Sequence, residues 1–554
     1  MLDVVCLSGN SMMHWKIFFK QYPWRLWAII FVAVVVQLIL FSYKELLHVD
    51  ELFSFGTANG DNGVFLRYSA EEYDNQIFRQ EDFRNYLLLQ HTTFADMWGN
   101  LGLDTHMPLY FVFLRLFSLP FAPEFTILPA ILLNVLIFIG FLFGIYRLFL
   151  TLFKDEEIAL GGLMLCAFSC AVLSLSVFMR MYLLWMMFGV YLTDYTIKCL
   201  NLGLKKKVLT GVFVFSVLQI LTHFYGLIFG FVITTVTCFI FLLGRQYKRM
   251  LIFAMVMAAS AGVSYLVFPA MIDIGIHGQR GIQMVWRLEE LYKTFASVFV
   301  AQMPLFIKAM FGHYVIAGIC FILFFGTIYV VIRRSFLSPT EARQILWLMM
   351  VFIFYGVLSA LFQPRMGVWQ IRYFAVIIVI GISLIIYMVL FWGRLFKLKF
   401  LSVYVILYVL SIFSAIYSAQ TENAFWAKGK EVYWNDNFKK LEKISKNADI
   451  WWGLGGGWAP VWMMHIVMDK LIGAREVFVL SDIKNPEFVR YAEQERNEGR
   501  YAYYLLPYTQ EQSPEGAISW IKETTGRHSY FLFTVKDQRY ESFLSTAVFL
   551  VAPY

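Results

Sequence analysis

Two adjacent carboxylates, Asp50 and Glu51, stand just past the first long apolar run, in His48-Val49-Asp50-Glu51-Leu52-Phe53-Ser54-Phe55-Gly56. Carboxylates at a membrane–water boundary are costly to keep and mark a place where chemistry could occur. A carboxylate can serve as general base towards a hydroxyl. Other polar side chains recur near the ends of apolar runs: Asp104 and His106 in Asp104-Thr105-His106-Met107-Pro108-Leu109-Tyr110, then Arg180 and Tyr182 in Met179-Arg180-Met181-Tyr182. Further on come His223 in Thr222-His223-Phe224-Tyr225, Arg280 and Arg287 after Ile272, Arg365 after Pro364, and Arg372-Tyr373. Arginines can bind a phosphate and stabilise its charge as it departs. Together these residue types suit transfer of a group from an anionic, lipid-linked substrate with its tail in the bilayer and its head outside.

Each residue also has a plainer explanation. Arg280 or Arg365 alone is accounted for by snorkelling to lipid headgroups. His223 could be a hydrogen-bonded turn histidine, and Asp104 or Asp50 could cap a following helix. Arg180, in so apolar a turn, and the Asp50–Glu51 pair are least well explained by structure alone.

The elements that must position these groups follow from composition. Of 554 residues 59% are hydrophobic and 15% charged, too little charge to cover a soluble protein of this length. Runs of ~20 apolar residues recur, each long enough to cross a bilayer. The chain reads as a polytopic α-helical membrane protein with eleven spans: Trp24–Tyr43, Phe125–Leu148, Ile158–Val177, Met181–Leu200, Val208–Thr222, Phe224–Leu243, Met250–Ile272, Tyr314–Ile332, Ile345–Phe362, Tyr373–Trp392 and Leu401–Ala419. The first run shows no clear cleavage site for a signal peptide. Basic clusters at Lys16/Lys20/Arg25, Arg147/Lys154, Lys205-Lys206-Lys207, Arg245/Lys248/Arg249, Arg333-Arg334 and Arg394/Lys397/Lys399 assign those loops to the cytoplasm. The candidate site residues then all fall on the outer side, along with the carboxy-terminus. Pro108–Ala122, short and bounded by prolines, reads as an interfacial or re-entrant helix, because a further crossing there would invert the later basic loops.

Three regions result: a transmembrane part over 1–419, a first external loop at 44–124 within it, and an external α/β domain at 420–554. In that domain helix-like stretches (437–446, 459–471, 486–497, 514–523) alternate with strand-like ones (477–480, 501–506, 530–535, 547–552). Gly455-Gly456-Gly457 reads as a tight turn before a helix rather than a phosphate loop. The six cysteines sit in the amino-terminal tail or in apolar runs, which argues against a disulfide framework or a Cys metal motif. The formal charge of +8 is dispersed among loops, with no basic patch to indicate a nucleic-acid partner. No Walker or Gly-rich nucleotide loop occurs, so an activated donor on the outer side would be a lipid phosphate.

In order, spacing and sidedness the motifs resemble those of the GT-C glycosyltransferase superfamily, in the branch of the protein O-mannosyltransferases and the lipid A aminoarabinose transferases. Asp50-Glu51 resembles that branch's Asp-Glu motif and Arg180-Met181-Tyr182 its Arg-Met-Tyr. Thr222-His223-Phe224-Tyr225 resembles its Thr-His-Tyr turn and Arg372-Tyr373 its late Arg-Tyr. His106-Met107-Pro108-Leu109-Tyr110 resembles its His-Pro-Pro-Leu-Tyr, with Met107 in place of the first proline. The resemblance spans about 25 to 390 and implies an inverting transferase with a polyprenyl-phosphate sugar donor and a cell-envelope acceptor. It implies Asp50 as base or acceptor-binding carboxylate with Glu51 supporting it. Arg372 and Arg180 would be phosphate ligands, and Asp104 and His106 would line the cavity, with Tyr110 a further substrate-binding candidate. Some members use a divalent metal and others do not, which leaves a metal open. A lipid-linked sugar transporter, or a ligase that moves a whole glycan, remains an alternative to a monosaccharide transferase in the bacterial inner membrane. Polar groups gathered on one side favour the enzyme, since a flippase needs polar access from both.

Overall fold

The computed structural model describes residues 22–42, 44, 47–60, 76–89, 92–103, 106–122, 124–272, 338–362 and 371–395. In the carboxy-terminal part it describes the helix and strands given below, with a few scattered positions. Asp104, Arg280, Arg365, the Gly455–Gly457 turn, the Tyr314–Ile332 span and almost all of Leu401–Ala419 lie outside the described residues.

The helices of the apolar part are α1 (Trp24–Ser42), α2 (Val49–Asn59), α3 (Gln80–Leu87), α4 (Phe94–Leu103), α5 (Leu109–Ser118), α6 (Leu128–Phe153), α7 (Glu156–Ala167), α8 (Cys170–Ser176), α9 (Tyr182–Leu202), α10 (Lys206–Thr222), α11 (Phe224–Leu243), α12 (Tyr247–Val267), α13 (Pro339–Phe362) and α14 (Ala375–Leu395). Local signals set their ends. Pro129 opens α6, where a missing amide proton costs nothing, and Lys154 closes it in the left-handed conformation at φ 55°. The Asp155 carboxylate caps α7 by accepting the Ile158 amide, and Ser169 caps α8 through the Val172 amide. α7 and α8 are bent 64° apart at that break, so the chain enters the Ser176–Tyr182 turn at an angle.

Among the described residues six helices are long and apolar enough to cross a bilayer, or seven if α7–α8 counts as one span. Two further expected crossings form helices without meeting that standard. α10 has only 17 residues. α9 carries Asp194 and Lys198 and is almost wholly enclosed by other helices, which spares it from matching the lipid. By contrast Phe31, Leu243 and Leu266 present 70%, 61% and 76% of their surface outward, as lipid-facing side chains do. The segment Arg372–Arg394, 94% buried, is apolar all round because it lies in the middle of the bundle. α5, a ten-residue helix about 15 Å long, is too short to span.

Buried charge is not confined to one end of the bundle. Asp194, fully buried, binds Lys198 Nζ at 2.6 Å, Thr151 Oγ1 at 2.6 Å and Arg147 at 3.3 Å. It lies ~18 Å along α9 from Tyr182, at 1.5 Å per residue.

Outside the apolar part, α15 (Asp436–Ser445) precedes a six-stranded sheet in the order β1-β3-β2-β4-β6-β5. Its strands are β1 (Gln76–Arg79), β2 (Asp449–Gly453), β3 (Glu476–Leu480), β4 (Ala502–Pro507), β5 (Ser529–Lys536) and β6 (Ser545–Val551). β3, β2 and β4 run parallel in the middle, and the flanking strands are antiparallel. Edge strand β1 comes from the 44–124 loop and pairs Gln76 with Val479 and Arg79 with Glu476. A hydrogen-bonded ladder cannot reach across hydrocarbon, so this part of the first loop and the sheet share one side of the membrane.

Candidate functional site

The site begins at the first turn of α2, where His48 is the N-cap. Its Nδ1 accepts the Asp50 amide proton at 3.0 Å, and the Glu51 carboxylate reaches back to the His48 amide at 2.7 Å. This is a capping box, and the carboxylates complement the helix dipole. Because Nδ1 accepts, the His48 ring proton is on Nε2.

The box turns the two carboxylates in opposite directions. Glu51 is fully buried. Its Oε1 receives Lys44 Nζ at 2.5 Å and the Met179 amide at 2.7 Å, while its Oε2 takes the His48 amide. Lys44, also buried, donates a second bond to the Val177 carbonyl at 3.0 Å. Thus Glu51 and Lys44 rivet the start of α2 to the turn between α8 and α9.

Asp50 faces the other way, with 14% of its side chain exposed, and forms an ion pair with Arg372 from the turn Ile371–Phe374 ahead of α14. Burial pushes the Asp50 carboxyl upward. The Arg372 guanidinium, with Arg180 behind it, outweighs that and holds the carboxyl well below the usual carboxylate range. Arg372 itself lies within 6.0 Å of the Phe178 ring, 5.4 Å of Tyr182 and 5.3 Å of Tyr373, positions that suit cation–π attraction.

Arg180 is almost completely buried. It donates to Ser54 Oγ at 3.0 Å, one turn beyond Asp50 on α2, and to His106 Nε2 at 2.8 Å. A guanidinium only donates, so His106 carries its proton on Nδ1. Arg180 Nε has no hydrogen-bond partner among the described residues. Tyr110, one turn beyond Met107 and fully buried, sets its hydroxyl 3.4 Å from Asn134 Oδ1, and burial pushes its phenol well above its ordinary range.

The turn that carries Arg180 and Tyr182 is held from below. Asn134, in the second turn of α6, donates to the carbonyls of Ser176 at 3.2 Å and Phe178 at 2.9 Å. Gln37 of α1 donates to Ser176 at 2.9 Å. Beside it, Tyr182 meets His223 at 5.1 Å and Tyr373 at 6.0 Å, while His223 stacks on Trp185 at 5.0 Å. His223 Nδ1 accepts the Tyr225 amide and caps α11, and Tyr225 stacks on Tyr373 at 4.9 Å. His223 is thus held as a structural turn histidine within an aromatic wall.

The structure brings together Asp50, Glu51, His106, Tyr110, Arg180, Tyr182, His223, Arg372 and Tyr373, contributed by segments up to 322 residues apart. Among the described residues three cations (Lys44, Arg180, Arg372) face two carboxylates, leaving one positive charge in excess, the balance an anionic ligand needs. Neither described carboxylate of the cluster is open to a divalent metal: Glu51 is fully committed and Asp50 is held by an arginine. Among the described residues no group of three or more His, Cys, Asp or Glu is gathered in this way.

Sequence reasoning missed Lys44, Ser54, Phe178, Trp185 and Tyr225 as site residues, and it quoted His48 without a role. It also passed over Gln37 and Asn134, although amide side chains inside apolar runs were a visible signal. Nothing local distinguishes Phe178 from the chain's other phenylalanines.

No protein-family model matches the chain, and no curated protein matches it. Solved structures do. The oligosaccharyltransferase AglB of Archaeoglobus fulgidus, in complex with an inhibitory peptide and a dolichol-phosphate, aligns at a TM-score of 0.47 and 12% identity, over 88% of this chain and 70% of that one. That score is too low to carry an argument. ArnT of Cupriavidus metallidurans, bound to undecaprenyl phosphate, aligns at a TM-score of 0.51 and 11% identity over 99% of both chains. At such identity the likeness speaks to architecture alone: this chain shares the fold of ArnT.

Proposed function

We propose that this protein is an inverting glycosyltransferase. It moves a sugar from a polyprenyl-phosphate-linked donor to a cell-envelope acceptor (glycan, lipid or protein) at the outer face of a bacterial cytoplasmic membrane. The observation that carries the reading is the Asp50–Arg372 pair beside the buried Arg180. It sets a carboxylate that can take a proton against two guanidiniums that can take a phosphate. The full-length likeness to ArnT, which was solved with undecaprenyl phosphate, agrees with a polyprenyl-phosphate ligand.

In this mechanism the acceptor hydroxyl oxygen attacks the anomeric carbon from the face opposite the phosphate. Its proton passes to the Asp50 carboxylate. The bond between the anomeric carbon and the phosphate oxygen breaks, and its electron pair leaves with the polyprenyl phosphate. Arg372 and Arg180 hold the charge that grows there. Glu51 touches no substrate in this scheme; with Lys44 it positions the α2 turn that carries Asp50. Tyr182, Tyr373, His106 and Tyr110 line the pocket. Arg365, Arg280 and Asp104 remain candidates for donor or acceptor contacts.

The test is transfer of labelled sugar from a synthetic polyprenyl-phosphate donor by the purified protein in lipid nanodiscs. Wild type should transfer and Asp50→Asn should not. An Asp50→Asn variant as active as wild type would remove the proposed base.

A further inference from the structure

Asp50 and the proposed donor want the same partner. A base must keep an oxygen free for the incoming proton, yet an Asp50 oxygen is held by Arg372. Arg372 in turn is ringed by Phe178, Tyr182 and Tyr373, so its guanidinium is confined to a small, largely aromatic space, with 8% of the residue exposed. Nearby, the Nε of Arg180 is a fully buried donor with no partner among the described residues. Unmet buried donors cost free energy, and this one stands beside a cluster with an excess of positive charge. Among the described residues the cluster is short of one anion.

We propose that Asp50 has a second role, in donor recognition: its carboxylate stands in for the donor phosphate on Arg372, and the two anions exchange there. This rests on the transferase reading and adds an order to it. The donor is a phosphodiester carrying one negative charge. When it enters, Arg372 turns from Asp50 to the phosphate, and Asp50 is released to face the acceptor hydroxyl. As the bond between the anomeric carbon and the phosphate oxygen breaks, its electron pair stays on the departing phosphate, which becomes a monoester with a second negative charge. The hold of Arg372 therefore strengthens along the reaction, the condition for catalysis rather than mere binding. Asp50 is weakly basic while Arg372 holds it, so it does not draw protons from water or acceptor before a donor is present. Donor binds first, acceptor second.

The exchange makes a counterintuitive prediction. Removing the Asp50 charge should strengthen donor-phosphate binding while abolishing transfer. Binding of undecaprenyl monophosphate is measured by titration calorimetry on the full chain in nanodiscs, with undecaprenol as the uncharged control. Asp50→Asn and Asp50→Ala should bind the phosphate about tenfold more tightly than wild type, a usual coupling magnitude. Undecaprenol binding should not change. In an Arg372→Gln background the gain from Asp50→Asn should vanish, because the competed cation is gone. A merely structural Asp50 would weaken binding of both lipids. The exchange is overturned if both neutral variants bind the phosphate no more tightly than wild type, or if the gain survives without Arg372. If the gain is found but wild type transfers no sugar from any donor, the exchange stands and the enzymatic reading falls. If wild type transfers and the gain is absent, the reverse holds.

Discussion

Lys44 and Glu51 meet at 2.5 Å inside the protein, with 3% and 0% of their side chains exposed. Through this pair the α2 turn that presents Asp50 is tied to Val177 and Met179, at the base of the turn that presents Arg180. Removing one partner strands the other. Lys44→Met should lower stability by about 3–5 kcal/mol, the usual cost of an uncompensated buried charge. Adding Glu51→Gln should recover most of it, since a neutral pair of similar volume needs no counter-charge. Thermal unfolding in detergent of the two singles and the double decides this. A double variant as unstable as Lys44→Met would show that the pair does not act as a unit.

Gly56 lies on the α2 face covered by Tyr86 of α3, and a Cβ there would sit 1.9 Å from Tyr86 Cζ. α3 follows directly from β1, the strand that enters the sheet. Gly56→Ala should therefore cost about 1–3 kcal/mol by overpacking. Tyr86→Ala in the same chain should relieve the clash, leaving the cost of a lost buried ring. The measurement is the unfolding midpoint of each variant. An unchanged midpoint for Gly56→Ala would mean that the α2–α3 contact gives way freely.

Asp50 also makes stability depend on pH. Its carboxyl is held below the ordinary range in the folded protein by the Arg372 guanidinium, against the opposing effect of burial. In the unfolded chain it returns to about 3.9. Its contribution is thus fully present above that value and lost as pH falls through and below it. Apparent unfolding midpoints of wild type between pH 7 and pH 3 should fall more steeply than those of Asp50→Asn. Parallel profiles would exclude a stabilising Asp50–Arg372 pair.

Arg180 has two donor contacts fixed in a fork, one to Ser54 and one to His106. Lysine cannot reproduce that geometry. Arg180→Lys should lower kcat/KM for a polyprenyl-phosphate donor by about 10²–10³, the scale for losing one preorganised charge-stabilising group. His106→Gln, which keeps an acceptor in reach, should lose less. Steady-state rates at varied donor concentration separate the two, and an Arg180→Lys enzyme at wild-type efficiency would place the phosphate elsewhere.

Much of this was legible in the chain. Apolar runs located α1, α6, α11, α12, α13 and α14 because hydropathy adds up locally, residue by residue, over the width of a bilayer. The strand-like stretches near 477–480, 501–506, 530–535 and 547–552 correspond to β3, β4, β5 and β6. β2 went unnoticed, for Asp449–Gly453 carries two tryptophans and a glycine rather than an alternating pattern. β1 is four residues long, and no local signal reveals a partner some 400 residues away. The buried Asp194 cluster was also unforeseen, since ion pairing within the bundle, not hydropathy, makes that charge tolerable.

By itself the sequence determined which side chains were available and, through where the apolar runs begin and end, which stretches form helices of membrane-crossing length. Only the tertiary structure decided that Asp50 would meet Arg372 while its neighbour Glu51 turned inward to Lys44. Adjacent residues on a helix point about 100° apart, so two identical chemistries can part at one step of the chain. Which of them reaches the pocket depends on how distant helices pack, and that free energy belongs to the whole fold rather than to any stretch of it.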